Sequence, residues 1–140
     1  MAKIQKIKKT IFVHTIEIFS QQILICVGLR AEEIKKWADK NSKNLKEILQ
    51  TDDNFKKLQE ISLASGFVVK FSKDGLSYYI LWLKEYENHW DHLDVLNHEI
   101  VHLRQFTFLG KNIENEIEFE AYFQESVFKS IRTALSKKLK

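Results

Sequence analysis

The sequence predicts a single α+β domain over residues 1–140, in which a small, mostly antiparallel sheet packs on a long helix and a C-terminal helix follows. Three observations lead there. The strand-like runs Phe67–Phe71 and Leu76–Leu83 flank Asp74-Gly75, a pair that supplies the positive φ angles of a tight hairpin. Apolar residues then recur three or four apart from Trp90 to Phe106, the period of a helix buried along one face. Finally, the chain is 44% hydrophobic with ten Phe, four Tyr and three Trp. That is material for one core, and a domain of this size buries roughly 68–70% of its unfolded surface.

The other elements follow along the chain. Thr10 to Val27 mixes β-branched and aromatic residues with short polar breaks, which predicts two strands turning at Ser20-Gln21-Gln22. Gly28 ends the second strand, and Ala31 to Lys40 then sets Ile34, Trp37 and Ala38 on one helical face. A further helical stretch over residues 45–65 breaks near Thr51, where Thr51 or Asp52 caps a new start, with Phe55, Leu58, Ile61 and Leu63 facing inward. The long helix carries Trp90, Leu93, Leu96, Ile100, Leu103 and Phe106 until Gly110 stops it. The last helix begins near Ile113, bears Ile117, Ala121, Phe128, Ile131 and Leu135 along one side, and runs out in Lys137, Lys138 and Lys140. Trp37, Trp82 and Trp90 all lie in apolar runs, so all three are expected in the core.

Composition narrows the function classes. A single cysteine, Cys26, leaves no internal disulfide framework and favours a cytoplasmic setting, with Cys26 itself a small core residue. The apolar runs Ile23–Val27 and Tyr78–Leu83 fall far short of the roughly 20 residues of a membrane helix. The basic N-terminus is followed by a stretch broken by His14 and Glu17, unlike a signal peptide. The net charge of +3 is unevenly spread: residues 85 to 125 hold ten acidic side chains against Arg104 and Lys111. That block repels phosphate backbones, and no basic-aromatic recognition motif is present, so neither a nucleic-acid nor a membrane partner is expected.

His98-Glu-Ile-Val-His102 matches H-E-x-x-H. At about 100° per residue, the second imidazole lies within about 40° of the first and one turn further on, so both rings can reach one ion. Glu99, on a neighbouring line, is set to accept a proton from a water beside the metal, the role of a general base. At this chain's own His and Glu frequencies the pattern arises by chance on the order of one time in a hundred. A hydrolytic site also needs a third protein ligand and one open position. The acidic helix offers Glu114, Glu116, Glu118, Glu120 and Glu125, among which composition does not choose.

The element Glu118-Phe-Glu-Ala-Tyr122, coming after His98-Glu-Ile-Val-His102, resembles the E-x-x-A-Y motif of small phage-encoded zincin-like metallopeptidases. Val27-Gly28 followed by Glu32-Glu-Ile-Lys-Lys-Trp37 is similar to their early strand-to-helix segment. The resemblance implies a zincin-like fold, a Zn²⁺ cofactor held by His98, His102 and Glu118, and Glu120 as the rival third ligand. It also implies a peptide or protein substrate, lying as an extended strand near Leu76 to Leu83, and a host-cytoplasmic or virion location. Tyr122 stands where thermolysin-like enzymes carry an Asp that orients a ligand His, and the third His of metzincins after His102 is missing.

Plainer roles stand beside these. His98 and His102 can be one core-facing and one solvated histidine, Glu118 a solvated carboxylate, and His89 and His92 exposed side chains at a helix start. Arg104 and Gln105 are placed to pair with a substrate carboxylate or with the acidic helix, and the structural pairing is the one expected. The expected activity is zinc-dependent peptide-bond hydrolysis. The rival is a non-catalytic phage virion or accessory protein whose metal only ties two helices together. A third reading is a regulatory protease similar to the stress-response zincins, for which no DNA-binding helix-turn-helix is attached.

Overall fold

Strand β1 (Lys6–Ile7) pairs antiparallel with β6 (Tyr86–Glu87) in a short two-stranded ladder. The main sheet contains β2 (Thr10–Ile16), β3 (Gln21–Val27), β4 (Gly66–Lys73) and β5 (Leu76–Leu83) in the order β2-β3-β5-β4. In this computed structural model, residues 6–19, 21–60, 64–87, 89–110 and 117–139 are described. Pairs β2–β3 and β4–β5 are antiparallel, while β3 and β5 run parallel, so the sheet is mixed. A parallel pair needs a crossover, supplied by α1 (Ala31–Asn41), α2 (Lys43–Leu49) and α3 (Asp52–Gln59). The chain finishes in α4 (Trp90–Gly110) and α5 (Ile117–Ser136). The fold is α+β.

Alternation along the strands divides the core into two layers. Ile23, Ile25 and Val27 of β3, with Tyr79, Leu81 and Leu83 of β5, pack against α4 and α5. Leu24 and Cys26, with Ile80 and Trp82, pack against α1, α2 and α3. Covered on both faces, β3 and β5 are almost unbroken apolar runs. The same burial pushes the Cys26 thiol pKa far up, as befits a core residue.

The hairpin turns where the sequence predicts it, with φ of +52° at Asp74 and +79° at Gly75. Other expectations are corrected. The first strand connection is a 3-10 turn over Glu17–Phe19, and Gln21 and Gln22 already belong to β3. Trp82 is buried and Trp37 half-buried, but Trp90 opens α4 and is 77% exposed, because the inward line of that helix begins later. On α5 the buried line is Phe123, Val127, Ile131 and Leu135, with Ala121 exposed. Ile61, Leu63 and Ile113 lie outside the described residues. Strand β5, expected to lie along a substrate, has both edges occupied, by β3 and by β4. The free edges of this sheet among the described residues belong to β2 and β4. No helix of the described residues is long and apolar enough to cross a membrane.

The start of α1 is fastened to the N-terminal segment through Glu33, which accepts from the Arg30 backbone N–H (3.1 Å), from Lys9 Nζ (3.2 Å) and from Arg30 Nε (3.2 Å). The Arg30 amide first, then Lys9 and the Arg30 side chain, hold this carboxyl down at about 2, against an ordinary value of 4.5. A depressed carboxyl stabilises the fold above its unfolded pKa and loses that contribution as pH falls through the folded one. Glu33→Gln is expected to unfold at lower urea than the parent near neutral pH, and the gap should close between 4.5 and about 2. Urea melts across that range check it; a gap that persists at the acid end removes the assignment.

Candidate metal centre

The motif lies in the middle of α4, and each direction around that helix meets a different neighbour. Leu96, Ile100 and Leu103 are fully buried against the sheet. On the β4 side, Gly66 sits so close that an added Cβ would stand 2.9 Å from Glu99 Cγ and 2.9 Å from Val95 Cγ1. On the α5 side, Gln124 Nε2 donates to Asn97 Oδ1 (2.8 Å) and to the Asn97 carbonyl (3.2 Å). At the other end Phe108 stacks on Phe119 with ring centroids 5.5 Å apart, so α4 and α5 run antiparallel. His98 is exposed and His102 half-buried on the remaining outer face.

The two imidazoles converge. Their Nε2 atoms are 3.1 Å apart and the rings meet edge to face, with centroids 4.7 Å apart and planes at 84°. One ligand atom from each of His98, Glu99 and His102 falls within 4.8 Å of the others, and this is the cluster with metal-ligand chemistry among the described residues. Two nitrogens at zinc–imidazole distance in a tetrahedral shell are about 3.3 Å apart, so the observed separation fits one zinc ion. The outer ring atom agrees: His102 Nδ1 lies 3.2 Å from Gln105 Oε1, an acceptor, which puts the His102 proton on Nδ1 and leaves the Nε2 lone pair to accept from the His98 Nε2–H or to hold a metal ion.

Glu99 is only 5% exposed, and no hydrogen bond to its carboxylate is recorded among the described residues. Burial raises its pKa above the usual carboxylate value, while His102 and His98 act in the opposite direction. A carboxyl in that environment holds a proton more readily than a solvated one. Such a group is suited to accepting a proton and returning it.

Not every expected site residue joins the cluster. Glu118, on the first turn of α5, is exposed, and Glu120 is half-buried; neither belongs to the converged trio. Glu125 is exposed, and Glu114 and Glu116 lie outside the described residues. His89 is exposed, and its carbonyl accepts from the His92 and Leu93 amides at the opening of α4. His92 lies near the Glu85 carbonyl (3.4 Å) and Glu87 Oε2 (3.9 Å).

Two residues of the site have roles that the sequence does not predict. Gln105, expected to meet the acidic helix, instead accepts from His102; its signal was the three-residue spacing on one helix. Gly66 carried no local signal, since its approach to Glu99 depends on how β4 docks against α4. Gly66→Ala is expected to cost about 1–3 kcal/mol through overpacking. A urea melt checks it; an unchanged midpoint would show that Glu99 and Val95 yield freely.

Comparison with known proteins adds no relative: no protein-family model, no curated protein and no solved structure matches the chain.

Proposed function

We propose that this chain is a zincin-like, zinc-dependent metallopeptidase that hydrolyses peptide bonds, with zinc held by His98, His102 and Glu118 and Glu99 as the general base. The observation that carries the reading is the 3.1 Å convergence of two imidazole nitrogens beside a buried carboxylate on one helix. When bound, zinc supplies Lewis acidity, which polarises a carbonyl and makes water acidic enough to attack near neutral pH.

The protein's own groups do the rest. Glu99 takes a proton onto a carboxylate oxygen as water adds to the carbonyl carbon, then delivers it to the departing amine nitrogen. Gly66 leaves room for that carboxylate, and Gln105 holds the His102 ring by its Nδ1 proton. The free edge of β4, which begins at Gly66, offers unpaired backbone groups on which an extended peptide can add as a strand. The exposure of His98 favours this reading over a purely structural metal, whose four protein ligands leave no open position.

Elemental analysis of the purified protein is expected to find one zinc per chain, lost in His98→Ala. Glu99→Gln should keep its zinc and lose hydrolysis of a mixed synthetic peptide library by about 10²–10⁴-fold. Turnover retained in the zinc-loaded Glu99→Gln protein removes the general base, and zinc retained in His98→Ala removes the ligand. A zinc-replete parent that cleaves nothing supports the accessory-protein reading instead. Glu118→Ala is expected to weaken zinc binding more than Glu120→Ala, and the reverse order moves the third ligand to Glu120.

A further inference from the structure

On the far side of α5 from its contact with α4, a groove of about 580 Å³ opens between that helix and β2. The volume lies in the range of small-molecule sites. Phe12 supplies an apolar floor, and Lys129, Lys137 and Lys138 line the walls with no acidic side chain among the lining residues. Lys138 Nζ lies over the Phe12 ring, 5.2 Å from its centroid. None of the three ammonium groups has a carboxylate partner among the described residues, in contrast to Lys6, Lys9 and Lys73, which pair with Glu85, Glu33 and Glu47.

A hydroxyl completes the donor set. His14 Nε2 lies 2.8 Å from Ser130 Oγ inside the groove, and burial lowers the histidine's pKa. A neutral His14 that donates its Nε2 proton to Ser130 leaves the serine hydroxyl proton free to point into the groove. Three cations and a directed hydroxyl above an aromatic floor match an oxyanion attached to a flat or apolar body.

We propose that the groove between β2 and α5 is a binding site for a small phosphorylated molecule, its phosphate held by Lys129, Lys137, Lys138 and Ser130 and its body lying on Phe12 once Lys138 swings from that ring to the phosphate. This site is separate from the histidine cluster and independent of the reading given to it.

Titration of the full chain with inorganic pyrophosphate and with ADP, followed in amide ¹H–¹⁵N spectra, tests it. Both probes are expected to give saturable shifts confined to residues 12–14 and 126–138, with ADP the tighter through its ring on Phe12. Each of Lys129→Glu and Lys137→Glu should weaken binding by about tenfold or more, whereas Lys137→Arg should retain it. All three lysines are exposed or at a helix end, so the remaining spectrum reports whether each variant is folded. No saturable shift with either probe overturns the proposal, as does binding that survives both charge reversals in a folded protein. Cosedimentation with phosphatidylserine vesicles without a response to pyrophosphate or ADP also overturns it, since the phosphate recognised is then a lipid headgroup.

Discussion

The rotation of α4 about its own axis is the constraint on which the site depends. Leu96, Ile100 and Leu103 are each fully buried, and each such side chain contributes roughly 1.5–3 kcal/mol by leaving water. A turn of one residue, about 100°, would exchange them for Asn97, Val101 and Arg104 in one sense or for Val95, Glu99 and His102 in the other. The one orientation that buries all three also directs Glu99 towards β4, Asn97 towards α5 and both imidazoles outward. The outward direction of His98 and His102 is thus fixed by packing on the opposite face of the helix.

Glu99 is the costly member of this arrangement. A carboxylate at 5% exposure forfeits hydration that few protein groups restore here. Burial raises its pKa, the direction expected when the charged form is disfavoured. A buried alanine would suit α4 better, so the burial of Glu99 has no stabilising explanation within the fold. Gly66 sharpens the point, since β4 gives up a side chain where Glu99 Cγ and Val95 Cγ1 approach.

The features legible in the sequence are those decided within a turn or two of chain. The Asp74-Gly75 hairpin, the helical period through Leu96, Ile100 and Leu103, and the one-turn spacing of His98 and His102 are all local. Features decided by distant pairing were harder. Whether β4 or β5 lies at the edge depends on the parallel pairing of β3 with β5 across the whole α1–α3 crossover. A cue was present even so: Tyr79 to Leu83 is unbroken and apolar, as a strand covered on both faces must be, whereas β4 carries Lys70, Ser72 and Lys73. The approach of Gly66 to Glu99 had no such cue, because it arises between elements that neither residue's neighbours specify.

The choice between Glu118 and Glu120 turns on how α5 is registered against α4, and the Gln124–Asn97 hydrogen bonds set that register. Around α5, Glu120 lies about 40° from Gln124 and Glu118 about 120° in the opposite sense. Phe123 and Val127, both buried, mark Glu120's side as the core side, in keeping with its partial burial and with the exposure of Glu118. Around α4, His98 and His102 lie about 100° and 140° from Asn97, away from buried Leu96 and Ile100. Both histidines and Glu118 therefore belong to the outer side of the helix pair. Along the axes, His102 is about 7.5 Å and Phe108 about 16.5 Å beyond Asn97, and it is Phe108 that stacks on Phe119, the neighbour of Glu118. Glu118 is thus set about 9 Å past His102, and at about 120° from Gln124 it faces away from α4, so it reaches the ring nitrogens only if α5 turns or shifts against α4, whereas Glu120 faces α4 from the core side.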